Sequence, residues 1–305
     1  MSFESGGIEV RRKCPACAGY NFQIIFRMPY QNAALREFLL RFYCGRADPA
    51  RLIGATYELA LCNSCRLLFQ TQVPSGTLLS DIYDVWIPPT EQQDLRSRRG
   101  TEQYRYLAFQ VESMIRHFRR HPTDLNVLDF GCGWAEWASM ARAFGCNVYG
   151  IELSVERKQF ARSIGIPILD NPHHPGVVFD FINTEQVFEH LTRPLETLKE
   201  LVSCLAPGGL IKISVPNGRG VLRRITAGET FPMPVQPLEH INCFTAQSLY
   251  TFGCGAGLKL VTPRMIDMYN AASGWLNLRQ AAKNLARPIY RHVFPGSTYQ
   301  FFERL

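Results

Sequence analysis

The run NVLDFGCGWAEWA, Asn126 to Ala138, limits the fold more than any other stretch of the chain. Val127, Leu128 and Phe130 read as a short buried strand, Gly131 and Gly133 as a turn, and the residues after them as the start of a helix. Such a corner lets the backbone approach a ligand closely and points free helix N–H groups at it. Glycine turns after strands are common, so the corner gains its meaning from the residues downstream of Ala138.

From Asn126 onward short apolar runs alternate with longer amphipathic ones. Strands are expected at 126–130, 147–151, 166–169, 178–182, 210–215 and 258–263, with helices near 134–144, 154–164, 194–205 and 246–254. Leu195, Leu198, Leu201, Val202 and Leu205 form one helical stripe. This alternation predicts an α/β fold, a Rossmann-like doubly wound parallel sheet covered on both faces, with ligands beyond the carboxyl ends of the strands. Thr101 to Arg120 has the spacing of an amphipathic helix packed before the first core strand, its arginines forming a solvated face.

Upstream stand Cys14-Pro-Ala-Cys17 and Cys62-Asn-Ser-Cys65. Two such knuckles supply four thiolates, a set for structural Zn²⁺ in a closed tetrahedral site. A small zinc-ribbon-like unit is therefore expected over 1–75, with a helical insertion at Ala33 to Tyr43 and a strand at Tyr57 to Leu61. A linker is expected over 76–100, holding a short helix from Leu78 to Trp86 and the pair Pro88-Pro89. The α/β domain is expected over 101–268 and a basic, aromatic tail over 269–305, with helical spacing from Ala271 to Tyr290.

Ten cysteines are too few for a disulfide scaffold, and two CxxC pairs suit a reducing cytosol. No apolar run is long enough to span a membrane, and the N-terminus has no apolar signal core, so the expected location is cytoplasmic. The formal charge is +7, with 16 basic and 12 acidic residues in 1–125 and 6 against 2 in the last 42. The central domain is thus near neutral, which does not favour nucleic acid as partner. The tail has three open roles: cover for the active face, a homodimer contact, or an interfacial helix on anionic lipid, the first two being the simpler.

Acidic and polar residues stand at successive strand ends. Asp129 precedes the turn, and Glu152 ends VYGIE some twenty residues later, placed to accept ribose hydroxyls or, more simply, to charge a helix N-terminus. Asp170 and Asn171 come after the third strand, placed for an adenine amino group or as ordinary turn residues. The segments VLDFGCGWAEWA, VYGIELS, FDFINTEQVFEHL, LAPGGLIKISVPN and EHINCFTAQSLYTFGCGAGL, in this order, resemble a class I S-adenosylmethionine-dependent methyltransferase. The CxxC unit adds a similarity to bacterial methyltransferases of sugar and natural-product pathways. The resemblance implies that Asp129, Gly131 and Gly133 wrap the methionine part of S-adenosylmethionine, that Glu152 holds the ribose, and that Asp170 or Asn171 approaches the adenine. Ala135 departs from the pattern where many members carry a third glycine; a tighter turn is expected there.

Gln186-Val-Phe-Glu189-His190 is similar to a Glu-x-x-Glu-His segment that holds a divalent ion in small-RNA 3′-terminal and ubiquinone-pathway O-methyltransferases, with Gln186 in place of the first Glu. His240 is the candidate later histidine. His190, Glu189 and His240 are the candidate catalytic residues, as a metal-free proton acceptor, as metal ligands, or as an ordering element for the next helix. The segment 217–240, with its prolines and with Arg219, Arg223 and Arg224, is the expected substrate lid. The expected substrate is a small or carrier-linked hydroxylated acceptor such as a glycan, nucleotide sugar or natural-product intermediate. The competing expectations are an RNA methyltransferase using a divalent metal and a non-catalytic binding protein.

Overall fold

The computed structural model describes residues 7–87, 100–261 and 297–304. Pro88-Pro89, most of the predicted tail and the predicted helix from Ala271 to Tyr290 lie outside the described residues. In chain order the strands are β1 (Ile8–Val10), β2 (Phe22–Pro29), β3 (Thr56–Cys62), β4 (Leu68–Gln70), β5 (Gln72–Pro74), β6 (Asn126–Phe130), β7 (Asn147–Ile151), β8 (Phe179–Glu185), β9 (Leu205–Pro216), β10 (Asn242–Cys243), β11 (Leu258–Val261) and β12 (Ser297–Arg304).

The chain forms two compact units, and neither is one continuous stretch. Unit one takes Met1–Arg98 with Glu189–Leu195 and Gly218–Phe252, and unit two takes Arg99–Phe188, Glu196–Asn217 and Gly253–Leu305.

In unit one, β10, β4, β3 and β2 form an antiparallel sheet in that order, and β1 pairs with β5. The helix Ala33–Phe42 starts where the Asn32 side chain accepts from the Ala34 N–H, the usual way to satisfy an orphan first-turn donor. It buries Leu35 and Leu39 in a core with Tyr30, Tyr43, Tyr57, Leu59 and Trp86. After the helix Gly76–Asp81 the backbone widens into a π-helical turn, Ile82–Trp86, which seats Ile82 and Trp86 in the same core. The segment 217–240, expected as an irregular lid, is instead packed from 218 onward. It carries the helix Val221–Thr226 and buries Val221, Ile225, Val235 and Leu238 in that core.

Unit two holds a six-stranded sheet in the order β11-β12-β9-β8-β6-β7. β7, β6, β8 and β9 are parallel neighbours. Helices Glu136–Ala143 and Pro194–Ser203 make two of the crossovers. The sheet is not wholly parallel as expected. β12, from the predicted tail, inserts antiparallel between β9 and β11, and its Phe302 ring is fully buried where a Cβ on Gly253 would lie 2.1 Å from it. The predicted strand at 166–169 is reduced to one bridge, Gly150 to Ile168. Pro167 has no N–H to give the ladder, so this segment forms an incomplete edge.

The helix Thr101–Phe118 buries Leu107, Val111 and Met114 in the core of unit two. One of its expected solvated charges is otherwise employed. Arg120, just past its end, pairs at 2.6 Å with Asp180, whose other oxygen accepts from the Asn126 N–H.

Candidate functional site

The carboxyl edge of the unit-two sheet gathers the first group of expected site residues. Gly150, Asp129, Asn183 and Lys212 sit opposite one another on β7, β6, β8 and β9 and make one rung across the sheet. Side chains in register share a face. Accordingly Asn183 donates its amide to Asp129 at 2.8 Å, and Lys212 donates to Gln110 at 2.7 Å, to Asn183 at 3.4 Å and to Glu185. Burial raises the Asp129 carboxyl to about 6, against the opposing pull of Asn183 and Lys212. Lys212 went unnoticed in the sequence because a buried polar residue inside an apolar strand carries no local signal.

The glycine turn is shaped by backbone demands. Gly131 has φ +73° and Gly133 φ +55°. A Cβ on Gly131 would stand 2.5 Å from Val187 Cγ2, whereas one on Gly133 would meet open space. Ala135, at the third glycine position of the resemblance, is also left-handed at φ +54°, which explains the usual preference for glycine there. Glu152, buried at the end of β7, accepts from Gly133 N at 2.8 Å, Leu153 N at 2.8 Å and Ser154 N at 2.9 Å. It thus joins the glycine turn to the entry of the helix Val155–Ser163. Asp170 and Glu152 each lie two residues beyond the bridged pair Ile168 and Gly150, on adjacent parallel segments. Asp170 and Asn171 are exposed, and Asn171 accepts from the His173 N–H at 3.0 Å, an Asx turn.

A second group lies in unit one. Glu189, His190 and His240 each offer one ligand atom, and these atoms all lie within 4.8 Å of one another. His190 and His240 meet edge to face at 4.9 Å, and His190 Nε2 is 3.8 Å from Glu189 Oε1. Burial, with His240 beside it, drives the His190 imidazole down to about 3; burial also lowers His240. His240 Nδ1 lies 2.6 Å from the Met233 carbonyl, so the proton is assigned to Nδ1 and the Nε2 lone pair is left available.

Two residues that sequence reasoning missed build this cluster. Gln70, fully buried, donates to the carbonyls of Gln236 and His240 and receives the Leu238 N–H. Arg11 donates to the carbonyls of Leu191 and Thr192 and to Asn242 Oδ1 at 2.8–2.9 Å. The Ile241 N–H, in turn, donates to the Glu189 carbonyl at 2.8 Å. Gln186 is exposed with φ +56° and is not among the clustered donors.

The four expected zinc ligands also converge. Cys14 and Cys65 sulfurs are 3.5 Å apart, Cys17 and Cys62 sulfurs 3.6 Å, and all four lie within 4.8 Å of one another. A tetrahedron with metal–sulfur distances of 2.3 Å has sulfur–sulfur edges of about 3.8 Å, so the donor set fits zinc. Among the described residues no helix is long and apolar enough to cross a membrane.

A family profile described as methyltransferase domain matches residues 95–262. The ubiquinone biosynthesis O-methyltransferase of Colwellia psychrerythraea is 27% identical over 127 residues, 37% of this chain and 49% of that protein; the chain thus spans about half the length of the curated relative it matches. The crystal structure of the plantazolicin methyltransferase BamL with a triazolic desmethylPZN analog and SAH aligns over 74% of this chain and 94% of its own, with a TM-score of 0.51 and 13% identity. BpumL, with a monoazolic analog and SAH, aligns over 74% and 93%, with a TM-score of 0.49 and 15% identity. At these identities the likeness is one of fold.

Proposed function

Because this chain belongs to the methyltransferase-domain family and has the class I S-adenosylmethionine-dependent methyltransferase fold, we propose that it methylates an oxygen of a small or carrier-linked hydroxylated acceptor, such as a glycan, nucleotide sugar or natural-product intermediate. The observation that carries this reading is the set of one buried carboxylate and two half-buried imidazoles at Glu189, His190 and His240. Transfer to oxygen requires a hydroxyl to lose its proton, and this set is suited to that step. The similar O-methyltransferase supports oxygen as the acceptor atom.

Asp129, Gly131, Gly133 and Glu152 are the proposed cofactor contacts, with Asp170 or Asn171 toward the base. Open space beside Gly133 leaves room for a ligand, and the Glu152 carboxylate exchanges backbone donors for ribose hydroxyls. The cofactor, when held there, would supply a methyl group activated on a sulfonium, and the main contribution of these residues would be alignment. A second reading places a divalent ion on Glu189, His190 and His240, where it would lower the pKa of the hydroxyl directly; the short mutual distances of the three donors favour it. The Cys14, Cys17, Cys62 and Cys65 set holds structural Zn²⁺ in this account, with a folding role.

The test is incorporation of labelled methyl from S-adenosylmethionine into a panel of glycosides, nucleotide sugars and phenols. Base-stable labelled ether, lost in His240→Ala, supports the reading. Label only in amines or carboxylic esters contradicts it. Activity abolished by EDTA and restored by a divalent ion selects the metal form over the free imidazole.

A further inference from the structure

We propose that unit two contains a binding pocket for a neutral, single-ring aromatic molecule that carries a carbonyl or ether oxygen. The pocket has no part in the methyl-transfer reading above and stands or falls apart from it. It is a partly open cavity of about 70 Å³ between the helix Thr101–Phe118 and one face of the sheet. Space of that size holds roughly five waters, the bulk of one six-membered ring. The helix buries Leu107, Val111 and Met114, while its adjoining face, with Phe109, Gln110 and Ser113, is only half-buried. Opposite stand Phe181 of β8, Lys212 of β9 and Phe301 of β12, with Trp137 beside them. Phe301 and Asn183 flank Lys212 in register, and Phe181 lies two residues before Asn183, so these side chains share one face.

The walls set the chemistry of the guest. Tyr106, Phe109, Trp137, Phe181, Tyr299 and Phe301 all line the cavity, and Trp137 stacks on Phe181 with ring centroids 5.7 Å apart. Walls of this kind favour an aromatic guest through offset and edge contacts. The charge of Lys212 is matched by its ion pair with Glu185, so a neutral guest suits the cavity better than an anion. Lysine only donates, and Lys212 bonds the Gln110 amide oxygen at 2.7 Å. The Gln110 amide nitrogen is thereby turned away from Lys212, with its own N–H donors to place. The Trp137 indole Nε1 is a buried donor with no hydrogen-bond partner among the described residues. Buried donors are nearly always paired, because an unpaired one forfeits its solvation. Both donors belong to residues that line the cavity, and both call for an acceptor. A ring bearing a carbonyl or ether oxygen supplies one, whereas a plain hydrocarbon leaves both donors unmet.

The experiment is saturation-transfer NMR on the full chain with acetophenone, toluene and benzoate at millimolar concentration. Ser113→Leu fills the cavity from the helix side. The Ser113 hydroxyl donates only to the Phe109 carbonyl one turn back, at 2.7 Å, and leucine is the better helix former, so the fold should keep its melting temperature. Gln110→Leu removes one donor and keeps most of the side-chain bulk. The expected result is a transfer signal for acetophenone, at least fivefold weaker for toluene and for benzoate. The acetophenone signal should fall at least fivefold in Gln110→Leu and vanish in Ser113→Leu. The inference is overturned if acetophenone gives no signal, if toluene or benzoate binds as well as acetophenone, or if the signal survives in Ser113→Leu. Should Ser113→Leu melt far below the parent, Gln110→Leu decides alone, and unchanged acetophenone binding there overturns the inference.

Discussion

The Asn183 amide donates to the Asp129 carboxylate at 2.8 Å across β8 and β6, and Lys212 continues the row from β9. This buried charge has a definite pH signature. Asp129 titrates near 6 when folded against an ordinary 3.8, because burial outweighs its partners. The folded chain therefore binds more protons than the unfolded one between those values, and stability falls as pH rises through that window. Asp129→Asn should gain on the parent chain by on the order of 2–3 kcal/mol between pH 4 and pH 8. Urea unfolding at both pH values measures it; a pH-independent difference contradicts the assignment.

The two turn glycines should separate stability from binding. At Gly131 a methyl group meets both φ +73° and the Val187 side chain. Gly131→Ala should cost about 2 kcal/mol or more. At Gly133 the space is open, so Gly133→Ala should cost only about 1–2 kcal/mol from its backbone yet still impair S-adenosylhomocysteine binding. Thermal melts with and without ligand read both effects. Equal stability losses would contradict the geometry.

The cysteine tetrad predicts one zinc per chain. Atomic emission on protein purified without chelator should find it. Cys65→Ser, or chelator under denaturing pressure, should lower the unfolding midpoint of unit one, since structural zinc sites contribute on the order of 10 kcal/mol to folding. A metal-free chain that melts like the parent would contradict a folding role.

Phe302 and Gly253 lock β12 into the sheet. Phe302→Ala should destabilise unit two by about 3–5 kcal/mol and raise hydrogen exchange along β9 and β11. Unchanged exchange would mean that β12 is dispensable to the sheet.

Much of unit two was legible because its strands are short apolar runs and its helices keep a 3.6 period. β6, β7 and the helix Glu136–Ala143 fell within two residues of expectation for that reason. β12 was not legible. TYQFFER has little β-branched character, and its partners β9 and β11 lie far upstream of it in the chain. The candidate cluster was readable as Glu189, His190 and His240. Its supports were not, since Gln70 and Arg11 act through carbonyls more than 160 positions away, and no local pattern records that. The linear block 101–268 was expected to be one domain, whereas 189–195 and 218–252 pack with the N-terminal residues. Chain order alone does not reveal which core an inserted segment joins.

The account depends most on Glu152, whose carboxylate now accepts from Gly133, Leu153 and Ser154. Calorimetry of S-adenosylhomocysteine with the parent chain and Glu152→Ala tests it most directly. The predicted result is saturable binding to the parent, weakened roughly 100-fold or more in the variant, as expected for charge-assisted hydrogen bonds to two ribose hydroxyls. Equal affinity in both proteins, or no heat from the parent at millimolar ligand, would contradict it.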